Sequence, residues 1–456
     1  MGSFNSDLLR KAKKLESEGL AKIEFTLASV SGLDRLLLDA YAIRCPKPMD
    51  YYNRRDLVRI FNLMAKEIYG NTQSCPVVEG YGSFVMNMFS SESDLDLSIN
   101  FSSHSTEVPR QKKIETLQKF AKKLYSMQRR GHVTDVQTIM TARVPIVKLI
   151  DCGTGIECDL SVDNRDGIAK SYIIHSISSI DDRFQKLSFL MKSWAKANNI
   201  NSSKHRTLNS LSIVSLVAFH LQTCNPPILP PFSVLLKGGA DPTSVTKIIN
   251  SYLNYGKKNK QSLAELFITL FVKLDSVEKL WQEGLCASLY QGSWIFKSWD
   301  FQSYPISIED FTDRSQNVAR AVGREEVQDI LRCIRGSRHS ILAFLHGHIQ
   351  ASQLMQILFG RRTGSTSGIG INDLPILQNP HPPKKMRLTE EPSVMWGGMQ
   401  QHHVLASLNP SVPHQPLAIP GTVPSAFPQR PHIGSQQTSW LISSNSNESQ
   451  ILNLPR

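Results

Sequence analysis

The segment from Tyr81 to Phe101, YGSFVMNMFSSESDLDLSINF, constrains this chain more than any other. Gly82-Ser83 is followed, after ten residues, by Asp94-Leu95-Asp96. Side chains at i and i+2 of a strand share a face. Asp94 and Asp96 therefore converge on one side, while Leu95 and Leu97 point into a core. A Gly-Ser turn at a helix start offers backbone N–H groups and a hydroxyl to phosphate oxygens. Together these residues suit a metal-bound nucleoside triphosphate. Asp-x-Asp alone is common in strands that bind nothing, so the rest of the chain has to decide.

Nucleotidyl transfer uses two metal ions about 3.5–4 Å apart held by clustered carboxylates, and two aspartates rarely hold both. Downstream lies VPIVKLIDCGTGIECDLSVDN. Val144–Ile150 is an apolar, β-branched run, Gly153-Thr154-Gly155 a turn, and Ile156–Val162 a second strand. The hairpin brings Asp159 beside the Asp94/Asp96 strand, with Glu157 and Ser161 on the same face. Asp159 is the natural third ligand and is placed to accept a proton from an attacking hydroxyl. Without the upstream motif it would read equally well as an exposed carboxylate at a sheet edge.

This arrangement resembles the DNA polymerase β-like nucleotidyltransferase superfamily, and within it the terminal uridylyltransferases and template-independent cytoplasmic-type poly(A) polymerases. Four further segments carry the resemblance: Phe189–Lys196 with Asn199-Ile200-Asn201; Leu208–Ser212, opening a helix that ends Phe219-His220-Leu221-Gln222; Gln261–Phe271; and Ile308-Glu309-Asp310 with Asn317–Val322. The likeness spans roughly residues 20–345. The HLQTCNPPILPP stretch is most similar to plant uridylyltransferases that tail unmethylated small RNAs.

The resemblance implies a role for each matching residue. Lys192 and Lys196, one helical turn apart, would bind the triphosphate, although such a pair also suits a solvated face. Gly82, Ser83 and Ser210 would lie near the phosphates, Asn164 on the ribose, and Ser171 near ribose and base. Asp310 would help read the base. The departures concern base choice. Leu211 stands where relatives carry a stacking tyrosine, Lys170 replaces an asparagine, and Asp310-Phe311-Thr312 replaces Asp-Pro-Phe. Gln316 takes the place of a histidine that helps uridylyltransferases exclude adenine; glutamine both donates and accepts, so it could read either uracil or adenine.

The net charge is +12, from 51 Lys and Arg against 39 Asp and Glu. Residues 361–456 hold seven of the former and four of the latter, so +9 belongs to the rest of the chain. That balance suits a polyanionic primer such as RNA. Seven cysteines without zinc-finger spacing point to reduced thiols in an intracellular protein, in nucleus or cytoplasm. No apolar run approaches 18 residues, so no membrane contact is expected.

The expected fold is α/β. N-terminal helices over 1–65, broken at Pro46 and Pro48, pack on the helical domain. A nucleotidyltransferase palm of mixed sheet and helices spans 66–182, with a helix at Glu115–Met127 covering its sheet. A mostly helical central and poly(A)-polymerase-associated domain spans 183–345, with Trp194, Trp281 and Trp294 in its core. A disordered Pro/Gln/Ser-rich tail runs over 360–456; residues 361–456 hold 13 of the 24 prolines. Lys384-Lys385-Met386-Arg387 resembles a short nuclear-import signal.

The expected function is a monomeric RNA 3′-terminal uridylyltransferase promoting RNA turnover, using two Mg²⁺ or Mn²⁺ ions and UTP, with the tail open to a small-RNA machinery protein. A poly(A) polymerase of the same fold, using ATP, and an inactive RNA-binding scaffold are the alternatives.

Overall fold

The computed structural model describes residues 2–23, 26–101, 107–297, 299 and 304–360. The expectations for the Pro-rich tail and the basic import-like motif fall on 361–456, outside the described residues. Three helices open the chain: α1 (Gly2–Ala21), α2 (Leu27–Arg44) and α3 (Pro48–Tyr69). The break at Pro46 and Pro48 is where the sequence puts it. Pro48 opens α3 at a position where its missing N–H costs no helical bond. The break between α1 and α2 was not foreseen; Thr26 caps α2 by accepting the Ser29 N–H at 3.2 Å.

A five-stranded sheet follows, built from β1 (Val77–Tyr81), β2 (Leu95–Asn100), β3 (Val133–Ile139), β4 (Ile146–Asp151) and β5 (Glu157–Val162), in the order β1-β2-β5-β4-β3. Only β2 and β5 run parallel. Alternation divides the sheet faces. Leu95, Leu97, Ile99, Cys158, Leu160 and Val162 are buried on one. They pack against Leu57, Phe61 and Met64 of α3 and Leu117, Phe120 and Leu124 of α4 (Arg110–Arg129). Each such side chain contributes about 1.5–3 kcal/mol on burial, and the polar face is left to the cleft. The expected grouping of residues 1–65 is corrected here. α1 and α2 join the helical domain, but α3 packs on the palm sheet because its apolar stripe matches the dry face.

The second core gathers α5 (Arg165–Ile177), α6 (Asp182–Ala197), α7 (Ser210–Gln222), α8 (Phe232–Leu235), α9 (Pro242–Ile249), α10 (Leu263–Ser276) and α11 (Glu326–Leu345) around buried aromatics. Trp194 meets Phe271 edge-on at 4.9 Å and Trp294 lies 5.3 Å from Trp281. Two features depart from the sequence reading. A three-stranded sheet, β6 (Leu285–Ser288), β7 (Ser293–Phe296) and β8 (Ile308–Glu309), interrupts the helices. The domain also runs past 345, through α12 (Ala351–Phe359), whose Leu354 and Leu358 are fully buried.

Candidate active site

The site is built on one row of the palm sheet. Tyr81 stands opposite Asp96, Asp96 opposite Asp159, and Asp159 opposite Lys148, across β1, β2, β5 and β4. Because neighbouring strands lie about 4.8 Å apart, the two carboxylates are held close by backbone pairing alone. Asp94 is not held this way: β2 begins at Leu95, so Asp94 sits on the loop just before the strand rather than within it.

Gly82 makes room for Asp96. Its φ is +67°, and a Cβ there would lie 2.1 Å from Asp96 Oδ2, a contact no other residue could make without displacing the carboxylate. The expected helix after Gly82-Ser83 is corrected: residues 82–87 form successive turns, closed by Met86 N–H to Gly82 O and Met88 N–H to Ser83 O, each 3.0 Å. The Gly82 N–H is occupied, donating to Ser171 Oγ at 2.7 Å, while that hydroxyl donates to Gly167 O at 2.6 Å. Ser171 therefore ties the turn to α5.

The carboxylates repel one another. Burial, then the charges of Asp159 and Asp94, push Asp96 up to about 7. Asp94 is raised by burial and then by Glu157, and Asp159 is raised chiefly by burial. Lys148 relieves part of this, pairing with Glu157 and lying 3.0 Å from Asp159 Oδ1. That oxygen is buried without a well-aligned hydrogen bond. Among the described residues no three His, Cys, Asp or Glu side chains already stand at ligand spacing. The donor set nonetheless suits hard divalent cations: three oxygen-ligand carboxylates, one with an orphaned oxygen and one in a cradle that a methyl group would fill.

The expected nucleotide residues have the following partners. Lys192 Nζ donates to Met88 O at 2.7 Å and Lys196 Nζ to Glu92 O at 3.0 Å, so both lysines of α6 reach the loop that carries Ser83 and leads to Asp94. Burial lowers Lys192 to about 8, with Asp96 working against it. Asn164 caps α5, its Oδ1 accepting the Gly167 N–H at 3.2 Å. Ser210 opens α7 and stands 3.4 Å from Asn201; Leu211 packs partly buried against the helical core.

Asp310 is not a free side chain. Its Oδ2 pairs with Lys170 Nζ at 2.6 Å, and its Oδ1 accepts the Thr312 N–H at 3.0 Å and hydroxyl at 2.9 Å. Lys170 also pairs with Asp166 at 2.6 Å. Gln316 accepts from Arg143 at 3.3 Å and donates to Ser315 at 3.2 Å.

Residues 33–179 match the family model of the central palm domain of mitochondrial-like poly(A) RNA polymerase. Over those residues the chain is similar to that palm domain. Beyond the palm, the chain is similar to Protein HESO1 of Arabidopsis thaliana, 36% identical over 307 residues, covering 60% of this chain and 59% of that protein. It is also similar to Poly(A) RNA polymerase GLD2-B of Xenopus laevis, 31% identical over 42% of this chain and 38% of that one. It thus spans about three fifths of the HESO1 relative and less than half of the GLD2 one. Among solved structures, mtPAP in complex with ATPγS superposes with a TM-score of 0.60 at 19% identity, over 76% of this chain and 75% of that one. A cytoplasmic RNA terminal U-transferase does so at 0.55 and 21%, over 68% and 93%. The fold is that of these two structures.

Sequence reasoning missed two members of the palm's central row, Lys148 and Tyr81. Tyr81, whose hydroxyl lies 3.4 Å from Ser161 Oγ, is pushed up by burial and by Asp96. Its signal was present in the alternation of VVEGY, which sets Tyr81 on the polar face once the hairpin register is known.

Proposed function

We propose that this chain is a template-independent RNA 3′-terminal nucleotidyltransferase that adds uridines from UTP. The observation that carries the reading is Asp96 opposite Asp159, beside a glycine turn that leaves the carboxylate unobstructed. Asp94, Asp96 and Asp159 would hold two Mg²⁺ or Mn²⁺ ions, which supply charge neutralisation at the α-phosphate and activate the attacking hydroxyl. Asp159 is placed to take the proton of the RNA 3′-hydroxyl, whose oxygen attacks the α-phosphorus in line as pyrophosphate leaves. Lys192 and Lys196 exchange their loop carbonyls for the β- and γ-phosphates. Asn164 and Ser171 flank the ribose. The net charge of +12 suits an RNA primer, the protein acts as a monomer in nucleus or cytoplasm, and no membrane is involved.

UTP is supported by the likeness to plant uridylyltransferases and by the U-transferase fold match. ATP is the second reading, supported by Gln316 in place of histidine and by the GLD2 and mtPAP relatives. Incubating the protein with labelled RNA and each NTP separately tests activity and base choice together. Extension with UTP alone or preferentially is expected. Preference for ATP replaces the first reading with the second, and no extension with either cation sinks both.

A further inference from the structure

Arg54 of α3 is fully buried, at 0% exposure, and burying a cation is costly unless it is compensated. Its hydrogen bonds all go to backbone carbonyls. Nη2 lies 3.3 Å from Ser90 O, 3.0 Å from Ser91 O and 2.5 Å from Ser93 O, and Nη1 lies 3.2 Å from Asp50 O. The Phe89 ring covers the guanidinium at 4.6 Å, a cation–π contact strengthened by desolvation. Three carbonyls of one four-residue turn therefore converge on a single nitrogen, and the turn is closed on itself by Ser93 N–H to Ser90 O at 3.0 Å and Ser90 N–H to Ser93 Oγ at 2.9 Å.

The next residue is Asp94. Asp96 and Asp159 are placed by strand pairing, but Asp94 precedes the first paired residue of β2, so its position has to come from the loop. Lys192 and Lys196 also hold this loop, but from the nucleotide side, where phosphate would compete for them. The guanidinium fork joins the turn to α3: Nη2 is shared among the Ser90, Ser91 and Ser93 carbonyls while Nη1 donates to Asp50 O. We propose that Arg54 is the positioning residue for Asp94: it fixes the peptide of Ser93 from within the palm, so that the Asp94 carboxylate is presented to the cation site whether or not nucleotide is bound. The inference rests on the nucleotidyltransferase reading for its purpose, while its structural content can be measured without catalysis.

The experiment compares full-length wild-type protein with Arg54→Met, which keeps an apolar stem, and Arg54→Lys, which keeps the charge but not the fork. Hydrogen exchange is followed over 86–96, and Mn²⁺ affinity is read by paramagnetic relaxation with a non-hydrolysable UTP analogue. In Arg54→Met, exchange over 86–96 should rise about tenfold or more while β3, β4 and α4 keep wild-type protection. Mn²⁺ should bind about 10–100-fold more weakly, and kcat should fall about 100-fold with little change in KM for UTP, as expected of a misplaced rather than missing group. Arg54→Lys should lie between. Wild-type loop exchange and Mn²⁺ affinity in Arg54→Met would overturn the proposal, as would exchange rising equally across the palm, which marks a general core role. If Arg54→Met does not fold, Arg54→Lys decides: its ammonium keeps the charge and three donors but lacks the fork that joins the turn to Asp50 O, so raised exchange over 86–96 supports the proposal and wild-type behaviour overturns it. A wild-type protein that binds Mn²⁺ but extends no RNA would instead sink the functional reading and leave the loop result standing.

Discussion

Asp96 and Asp159 face each other across the one parallel pair of the palm sheet, with Tyr81 and Lys148 completing the row on either side. Two part-buried carboxylates at adjacent register positions destabilise a fold in which nothing neutralises them. Burial and its two neighbours raise Asp96 to about 7, so at pH 8 the metal-free protein carries this repulsion. Asp96→Asn should therefore abolish RNA extension and, without added cation, stabilise the protein by about 1–3 kcal/mol. Adding Mn²⁺ should reverse the order, raising the wild-type Tm but not the variant's. Thermal melts of both proteins with and without Mn²⁺ check this; a variant less stable than wild type in the absence of cation contradicts the repulsion.

Gly82 is fixed by two independent demands, a φ of +67° and the 2.1 Å separation between a hypothetical Cβ and Asp96 Oδ2. Gly82→Ala should cost about 1–2 kcal/mol from backbone strain alone. Its effect on catalysis should be larger, about 100-fold in kcat, because the displaced atom is a reacting-site carboxylate. Urea denaturation beside single-turnover kinetics separates the two, and a loss of activity no greater than the loss of folded protein would show that the close approach has no catalytic role.

What could be read from the sequence followed periodicity. The Asp94/Asp96 segment and the hairpin of Asp159 announce themselves by alternation, and α4 by its 3.6-residue apolar stripe, because each of those patterns is local. The side that α3 packs against is not local: Leu57, Phe61 and Met64 would suit either core, and only the matching dry face of the sheet decides. The strands β6 to β8 are four residues or fewer, too short for a period to register. Lys170 reads in the sequence as a replaced asparagine, and nothing in the sequence singles out Arg54; both owe their roles to partners far along the chain, Asp310 and the Ser90–Ser93 carbonyls.

The Lys170–Asp310 pair joins palm helix α5 to the loop after β8, with side chains 8% and 6% exposed. Removing one partner leaves a buried charge; removing both does not. Lys170→Met should destabilise by about 3 kcal/mol, while Lys170→Met with Asp310→Asn should recover at least about half of it. A double-mutant cycle in urea measures the coupling, and additive single effects would mean that the pair is not held together in solution. The same variants, assayed with UTP and ATP, report whether this pair also governs base choice.

Lys192 gives the clearest pH signature. An ordinary lysine titrates near 10.5, and burial lowers this one to about 8, so between those values the folded state binds fewer protons than the unfolded state. Stability therefore rises with pH across that window and is lost as pH falls through about 8. Lys192→Met removes the buried charge, so it should be more stable than wild type at pH 7, by about 1–2 kcal/mol, with the advantage fading towards pH 10. Nucleotide binding runs the other way. The free enzyme needs the ammonium to meet the triphosphate, so kcat/KM for UTP should decline above pH about 8, while Lys192→Arg, whose guanidinium stays charged, should hold its own plateau to higher pH. Parallel pH profiles of stability and of kcat/KM check both limbs, and a wild-type profile with no break between pH 7 and 10 would show that Lys192 does not titrate in the working range.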